Sequence, residues 1–351
     1  MIPLVDAPGP PAHAVRRHAY HPMTFAGPPP PNPTDPRALE RPRRKIHGIS
    51  AVLLPCTAAG VVDWDAFAAH VARTAAAGIV PAVNMDTGYV HLLDGDARRR
   101  TLAVAREVLG PPQPGDLVAG CCVVDRPGDP FREHLHLAEA EAVLAAGATP
   151  VLFPAFGLND GTDAAVVARI ASLAGRLPAF IGFELATVFA PCGRILGLEA
   201  YRDVMAIPNC VGAKHSSLSR RLEWQRLALR DRERPDFRVF TGNDLAIDMV
   251  RYGSDWLLGL STAWPEAFAV RDGWWAAGDC RFDELDDALQ SLGDFAFRPP
   301  VPAYKHSMAQ ALRLRGILAA DEPFPGSPRR PESDREILVT IIARIAAALA
   351  A

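Results

Sequence analysis

The residues that could do chemistry gather around one lysine. Asn209-Cys210-Val211-Gly212-Ala213 is a short apolar run that ends in Lys214, and His215-Ser216-Ser217 follow it with hydroxyls that can open a helix. A lysine at the carboxyl end of a buried parallel strand can form an imine with a carbonyl compound once desolvation has lowered its pKa. From an ordinary value near 10.4, a fall of roughly three pH units raises the neutral fraction at pH 7 about a thousandfold and costs about 4 kcal/mol. Other apolar runs also end in polar clusters. They are Asn84-Met85-Asp86-Thr87-Gly88-Tyr89, Glu184 with Arg194 further along the same loop, Thr241-Gly242-Asn243-Asp244, and Gly259-Leu260-Ser261-Thr262.

To bring these clusters together, the chain must present the ends of several strands side by side. From Ile46 onward, apolar runs alternate with amphipathic stretches. Strands are predicted at 48–55, 79–83, 116–123, 149–153, 179–183, 209–214, 237–240 and 256–258. Helices are predicted near 63–77, 94–109, 131–146, 162–174, 198–205, 217–229, 245–252 and 265–277. Eight strand–helix units with nearly continuous apolar strands fit a (β/α)8 TIM barrel, whose active sites lie at the carboxyl ends of the strands. An open doubly wound sheet would carry a glycine-rich turn after its first strand, and Leu54-Pro55-Cys56-Thr57 is not one. Three further helices, near 282–293, 302–315 and 333–350, are expected to pack beside the barrel or to form a subunit contact. The domain reading is a proline-rich, extended or disordered arm over 1–45, a barrel over 46–280 and a C-terminal helical extension over 281–351. Arg41, Arg43, Arg44 and Lys45 close the arm and read as a solvated hinge.

The 351 residues suffice for one large domain or two ordinary ones, and 49% hydrophobic with 22% charged residues gives ample core. A net charge of −3 offers no argument for nucleic acid or an anionic membrane. No apolar run is long enough to span a bilayer, and prolines interrupt the N-terminus where a secretory signal would be apolar. Six cysteines without a CxxC pair read as reduced, buried thiols of a cytoplasmic protein. His134 and His136 lie two apart on a helix and share no face, so they are not a metal pair, and His91, near the second-strand loop, reads as a solvated histidine with a supporting place behind the site as the alternative. The arginines between Arg220 and Arg234 read as the wet face of a helix whose dry side carries Trp224 and Leu227.

The landmarks on these elements resemble those of the dihydrodipicolinate synthase / N-acetylneuraminate lyase family of Schiff-base aldolases, over roughly residues 46–320. Val211-Gly212-Ala213-Lys214-His215-Ser216-Ser217 is similar to the family's imine-lysine strand, and Thr241-Gly242-Asn243-Asp244 to its seventh-strand motif. Gly253 followed by Gly259-Leu260-Ser261-Thr262, the opening Pro55-Cys56-Thr57 with Asp63, and Pro302-Ala303-Tyr304-Lys305 are similar in the same order. The resemblance implies imine catalysis by Lys214 without a cofactor, a small keto acid or related carbonyl substrate, and a homotetramer or homodimer.

It breaks in two places. The family's second-strand motif, Gly-Thr-Thr-Gly-Glu, holds a substrate carboxylate, whereas this chain has Met85-Asp86-Thr87-Gly88-Tyr89. Two like charges ~4 Å apart repel by about 4 kcal/mol at an effective dielectric near 20. Asp86 must therefore turn away, be protonated, or face a substrate without a carboxylate there. The family's fifth-strand tyrosine is missing from Gly182-Phe183-Glu184-Leu185. Glu184 is the nearest acid–base group, with Tyr89 as another source of a phenol.

The reading is a Schiff-base-forming lyase with Lys214, Glu184 and Asp86 as catalytic residues. Thr87, Gly88, Tyr89, Arg194, Gly242, Asn243 and Ser261 are its substrate-binding candidates. Two alternatives are a barrel enzyme for a phosphorylated sugar, held by the glycine-rich loops after strands seven and eight, and a ligand-binding barrel without turnover.

Overall fold

A computed structural model describes residues 36–351. Eight parallel strands close a barrel in chain order: β1 (Gly48–Ala51), β2 (Val80–Val83), β3 (Val118–Cys121), β4 (Thr149–Leu152), β5 (Phe180–Leu185), β6 (Cys210–Ser216), β7 (Arg238–Thr241) and β8 (Asp255–Leu258). Each strand is paired in parallel with the next, and β8 with β1. The helices α1 (Trp64–Ala76), α2 (Gly95–Leu109), α3 (Glu133–Ala145), α4 (Phe156–Asn159), α5 (Asp163–Ala174), α6 (Leu198–Ala206), α7 (Arg220–Glu233) and α8 (Pro265–Ala277) run between and after the strands. The barrel is the (β/α)8 fold expected from the alternation of apolar runs. One unit departs from the pattern: the helix predicted after strand seven is a 3-10 helix, Ile247–Tyr252.

Capping residues set the helix starts as the sequence indicates. Asp63 accepts from the Ala66 N–H at 2.9 Å, Asp94 from Ala97 at 2.8 Å and Thr162 from Ala165 at 3.3 Å. Inside the barrel, Ile49, Ala82, Val118, Val151, Ile181, Phe240 and Leu257 form an apolar plug contributed by seven strands. A second, larger core lies between strands and helices. The chain then adds α9 (Arg281–Ala296), α10 (Tyr304–Leu314) and α11 (Asp334–Ala350).

Of the proline-rich arm, residues 1–35 lie outside the described residues. In the basic cluster that follows, Arg41, Arg43 and Lys45 are exposed, as expected, and Arg44 is half-buried. Arg44 pairs with Asp255 at 2.9 Å at the start of β8, and Arg41 pairs with Asp231 at 2.5 Å. All six cysteines are free thiols, five of them buried, with Cys280 exposed. No described helix is long and apolar enough to cross a membrane.

The arginines of α7 also depart from expectation. Arg226 and Arg230 are buried, because carboxylate and carbonyl partners wait for them inside. On the same helix Glu223 is fully buried, and it accepts from the Thr241 hydroxyl at 3.0 Å and the Ser254 hydroxyl at 2.6 Å. Burial raises its pKa from 4.5 to about 8, so it is folded as a neutral acid. A raised carboxyl pKa means that the folded state holds the proton more tightly than the unfolded chain. Its stabilising share is complete below pH 4.5 and is lost as pH rises through about 8, a loss of up to about 5 kcal/mol. Chemical denaturation at stepped pH is expected to show this decline in the wild type. Glu223→Gln, which cannot ionise, is expected to flatten it between pH 5 and about 8.

Candidate active site

Alternation along a strand decides which side chains meet. In the β5–β6 register, Phe183 lies beside Lys214 and Glu184 beside His215. Neighbours on adjacent strands share a face, and successive residues take opposite faces. Lys214 and Phe183 therefore point into the barrel mouth, while Glu184 and His215 point out toward the helices. The Lys214 Nζ sits 4.7 Å from the centre of the Phe183 ring, and Lys214 is only 6% exposed. Desolvation draws its pKa down from 10.5 to about 8, against an opposing pull from Asp244 and then Asp86. At pH 7 about one amine in ten is then neutral.

Room for this lysine comes from the seventh-strand loop. A Cβ on Gly242 would collide with the Ser216 hydroxyl and stand 2.6 Å from the Lys214 Cε. Gly242 was expected to bind substrate, and its bare Cα instead gives the lysine its path. Asn243 is buried and accepts from the Leu245 N–H at 3.2 Å, shaping the following turn. Asp244 accepts from the Leu260 N–H at 2.8 Å, and burial pushes its pKa up to about 7. The Ser261 hydroxyl is spent between β1 and β8, 2.8 Å from the Ser50 Oγ and 2.9 Å from the Leu258 carbonyl.

The second-strand loop supplies the other wall. Asn84 and Tyr89 bracket Asp86-Thr87-Gly88 with positive φ angles of 52° and 58°, and Leu218 beyond β6 has 58°. Such left-handed non-glycine residues cluster where a site imposes its geometry on the backbone. Asp86 does not turn away and is not protonated. The Lys305 ammonium donates to its Oδ1 at 2.8 Å and the Tyr304 hydroxyl to its Oδ2 at 2.9 Å, and these partners hold its pKa below the usual value despite burial. The Tyr304 oxygen is also 2.9 Å from the Thr87 Oγ1. Gly88 packs against β1, its absent Cβ 3.3 Å from the Val52 carbonyl.

Three expectations are corrected. Glu184 is not the acid–base group. Arg226 donates to it at 2.7 and 3.0 Å, His215 Nδ1 at 2.7 Å and the Leu196 N–H at 2.9 Å, and the first two hold its pKa at about 2. Neutral His215 keeps its Nε2 free to accept from the Ser217 hydroxyl at 2.6 Å. Tyr89 does not supply the missing phenol: it is 2% exposed, stacked on Phe324 at 5.6 Å. Arg194 binds Asp163 at 2.5 Å and the Asn159 and Gly161 carbonyls at 2.7 Å, which fastens the loop after β5 to α5. His91 is also not a solvated residue. It lines a cavity beside Asp86, its ring 5.0 Å from Phe153.

The sequence reading missed Tyr304, Lys305 and Asp244 as site groups. Each lay inside a motif read only as a landmark of the fold, and the signal was a charge in the loop after β7 with a phenol and a charge that open α10. The C-terminal helices do more than pack beside the barrel, for α10 begins by placing Tyr304 and Lys305 against Asp86. Among the described residues, no group of three or more His, Cys, Asp or Glu side chains could hold a metal ion.

Among solved structures the fold is that of dihydrodipicolinate synthases. The Rhodopseudomonas palustris enzyme superposes with a TM-score of 0.71 at 15% identity, over 85% of this chain and 97% of that one. The Thermotoga maritima enzyme gives 0.70 at 17% identity, over 86% and 99%. The Agrobacterium tumefaciens enzyme gives 0.67 at 22% identity, over 89% and 100%. No family model matches the sequence, and no curated protein is similar enough to match it.

Two substitutions separate the inward and outward faces. Gly242→Ala is expected to displace Lys214 and abolish its reaction with carbonyl reagents, with the circular dichroism spectrum retained. Glu184→Gln leaves the Arg226 charge buried with a weakened partner. Calorimetry is expected to show a loss of about 3 kcal/mol or more, with the Lys214 amine still reactive in whatever fraction stays folded.

Proposed function

We propose that this protein is a Schiff-base-forming lyase, of the aldolase or dehydratase type, in which Lys214 is the nucleophile toward a small carbonyl substrate. The observation that carries the reading is the enclosure of that amine at the carboxyl end of β6, with its pKa drawn down to about 8. The solved dihydrodipicolinate synthases share the fold, which supports the class.

In the proposed reaction the neutral Nζ adds to the carbonyl carbon, the carbonyl π pair moves to oxygen, and one proton passes from the nitrogen to that oxygen. A second proton carries that oxygen away as water and leaves a protonated imine. The imine then draws in the electrons of a neighbouring C–C or C–H bond. Protons have to move in these steps, and in this reading Tyr304 moves them. Its neutral phenol lies within 2.9 Å of both the Thr87 hydroxyl and the Asp86 carboxylate. Asp86, held ionised by Lys305, accepts the phenol's hydrogen bond and so orients it. Asp244, near 7, is a second carboxyl able to exchange protons at neutral pH.

The phosphorylated-sugar reading is less well supported. The amide of Leu260, in the loop after β8 where phosphate would sit, already donates to the Asp244 carboxylate.

Borohydride reduction in the presence of a panel of aldehydes, ketones and 2-oxo acids, followed by peptide mass analysis, tests the nucleophile. An adduct on Lys214 is expected, and its absence across the panel would sink the reading. Below pH 8 the trapping rate is expected to fall about tenfold per pH unit, following the neutral amine. Tyr304→Phe is expected to lose about 10²–10⁴-fold in turnover and to slow trapping, with the same Lys214 adduct formed at long reaction times.

A further inference from the structure

We propose that Glu184, His215 and Ser217 form a second nucleophilic site, a serine–histidine–carboxylate relay on the outer side of the barrel that transfers small acyl groups from esters to water. The inference is independent of the imine reading, because Glu184 and His215 lie on the face of β5 and β6 that turns away from Lys214.

The geometry is that of a serine activated by a buried base. The Ser217 Oγ is 2.6 Å from the His215 Nε2, and the His215 Nδ1 is 2.7 Å from the Glu184 Oε2. Glu184 is ionised, since Arg226 and then His215 hold its pKa at about 2 despite burial, so the proton between the two side chains stays on Nδ1. Nε2 then carries the lone pair and accepts from the Ser217 hydroxyl. Such a constellation is defined by these contacts and not by chain order. His215 is fully buried and Ser217 partly exposed, so the base is sheltered while the nucleophile can be reached. Burial also draws the imidazole pKa below its usual 6.5, with Glu184 pulling the other way, and the base is therefore mostly neutral at pH 7.

The backbone supplies the remaining parts. Ser217 stands on the turn from β6 into α7, where Leu218 takes a positive φ of 58°. A strained strand-to-helix turn is one way of presenting a nucleophilic serine. The amide of Leu218, next to Ser217, and those of Arg220 and Arg221 at the start of α7 find no acceptor among the described residues. They are donors for an oxyanion, at the positive end of a 14-residue helix. The Ser219 amide donates to the Ser217 Oγ at 3.1 Å and steadies it, and the Ser219 carbonyl, at 3.4 Å, is a weaker second acceptor for its hydroxyl.

In the acyl step the Ser217 Oγ bonds to the carbonyl carbon of the ester, its proton passes to the His215 Nε2, and the carbonyl π pair moves to oxygen. That pair returns, the bond to the alcohol oxygen breaks, and the Nε2 proton leaves with the alcohol. Water then adds to the acyl carbon and gives a proton to Nε2. The Ser217 Oγ departs, takes that proton back and releases the acid. Glu184 receives no proton at any stage; it orients the imidazole and stabilises its cation. Because Ser217 is only partly open, the acyl group is a small one such as acetyl.

Diisopropyl fluorophosphate and p-nitrophenyl acetate, each applied to the full chain and followed by peptide mass analysis, test the site. Adducts on Ser217 are expected to form at least about a hundredfold faster in the folded protein than in urea, the contribution of a positioned base. Between pH 8 and 6.5 their rate is expected to fall less than about twofold, whereas acylation of the Lys214 amine would fall more than about tenfold. Lys214→Ala is expected to keep the Ser217 adduct. Ser217→Ala is expected to lose it, with borohydride trapping at Lys214 as the check that the barrel is folded. Labelling of Ser217 no faster in folded than in unfolded protein would overturn the proposal. So would a steep fall of its rate with pH, or ester cleavage that persists in Ser217→Ala and disappears in Lys214→Ala. None of these results bears against the imine reading, which borohydride trapping tests separately.

Discussion

The two-residue alternation of β5 and β6 is the constraint on which the site depends. One register step separates Lys214 and Phe183, which face the barrel mouth, from Glu184 and His215, which face the helices. Shifting either strand by one residue would bury the Arg226-paired carboxylate among apolar interior side chains and expose the amine to the helix layer. The outward network resists such a slip. Glu184 accepts from Arg226, His215 and the Leu196 amide, so four groups on β5, β6, α7 and the loop after β5 must agree on one alignment. An ion pair of this kind offers little net stability, because desolvation offsets most of the attraction. Its geometric demand is what holds the lysine inward.

Around the inward face, two opposing influences set the state of the amine. Burial against Phe183 favours the neutral form, and the carboxylates of Asp244 and Asp86 favour the charged one. The balance near 8 follows from how strongly each carboxylate is itself engaged. Asp86 is neutralised at close range by Lys305, and Asp244, near 7, carries its charge only part of the time at neutral pH. Of the two carboxylates Asp86 favours the charged amine the less, and burial outweighs both.

Most of the barrel was legible in the sequence, because eight apolar runs separated by capped amphipathic helices leave few other folds open. Asp63, Asp94 and Thr162 mark helix starts in the sequence and act as caps in the structure. The lysine was legible for the same reason: it ends an apolar run. The facing of Glu184 was not legible, since it depends on which residue of β5 pairs with Lys214, and a period of two gives no sign of its phase across strands. Arg226 was misread because a helix rich in arginine looks solvated until the carboxylate that draws one of them inside is known. Tyr304 and Lys305 lie more than 200 residues from Asp86, and no local pattern links them. Only the docking of α10 brings them together.

That docking has a consequence for how the site is completed. The barrel strands alone supply a lysine, a phenylalanine where a phenol would serve, and an unbalanced aspartate. The phenol and the balancing ammonium come from the first turn of α10, held by Phe297 stacked on Tyr304 at 4.3 Å. Movement of that turn by a single residue's rise, about 1.5 Å, would break both contacts to Asp86 at once. Asp86 would then lose its ammonium and phenol partners together. The C-terminal helices therefore complete a wall of the candidate site as well as packing beside the barrel.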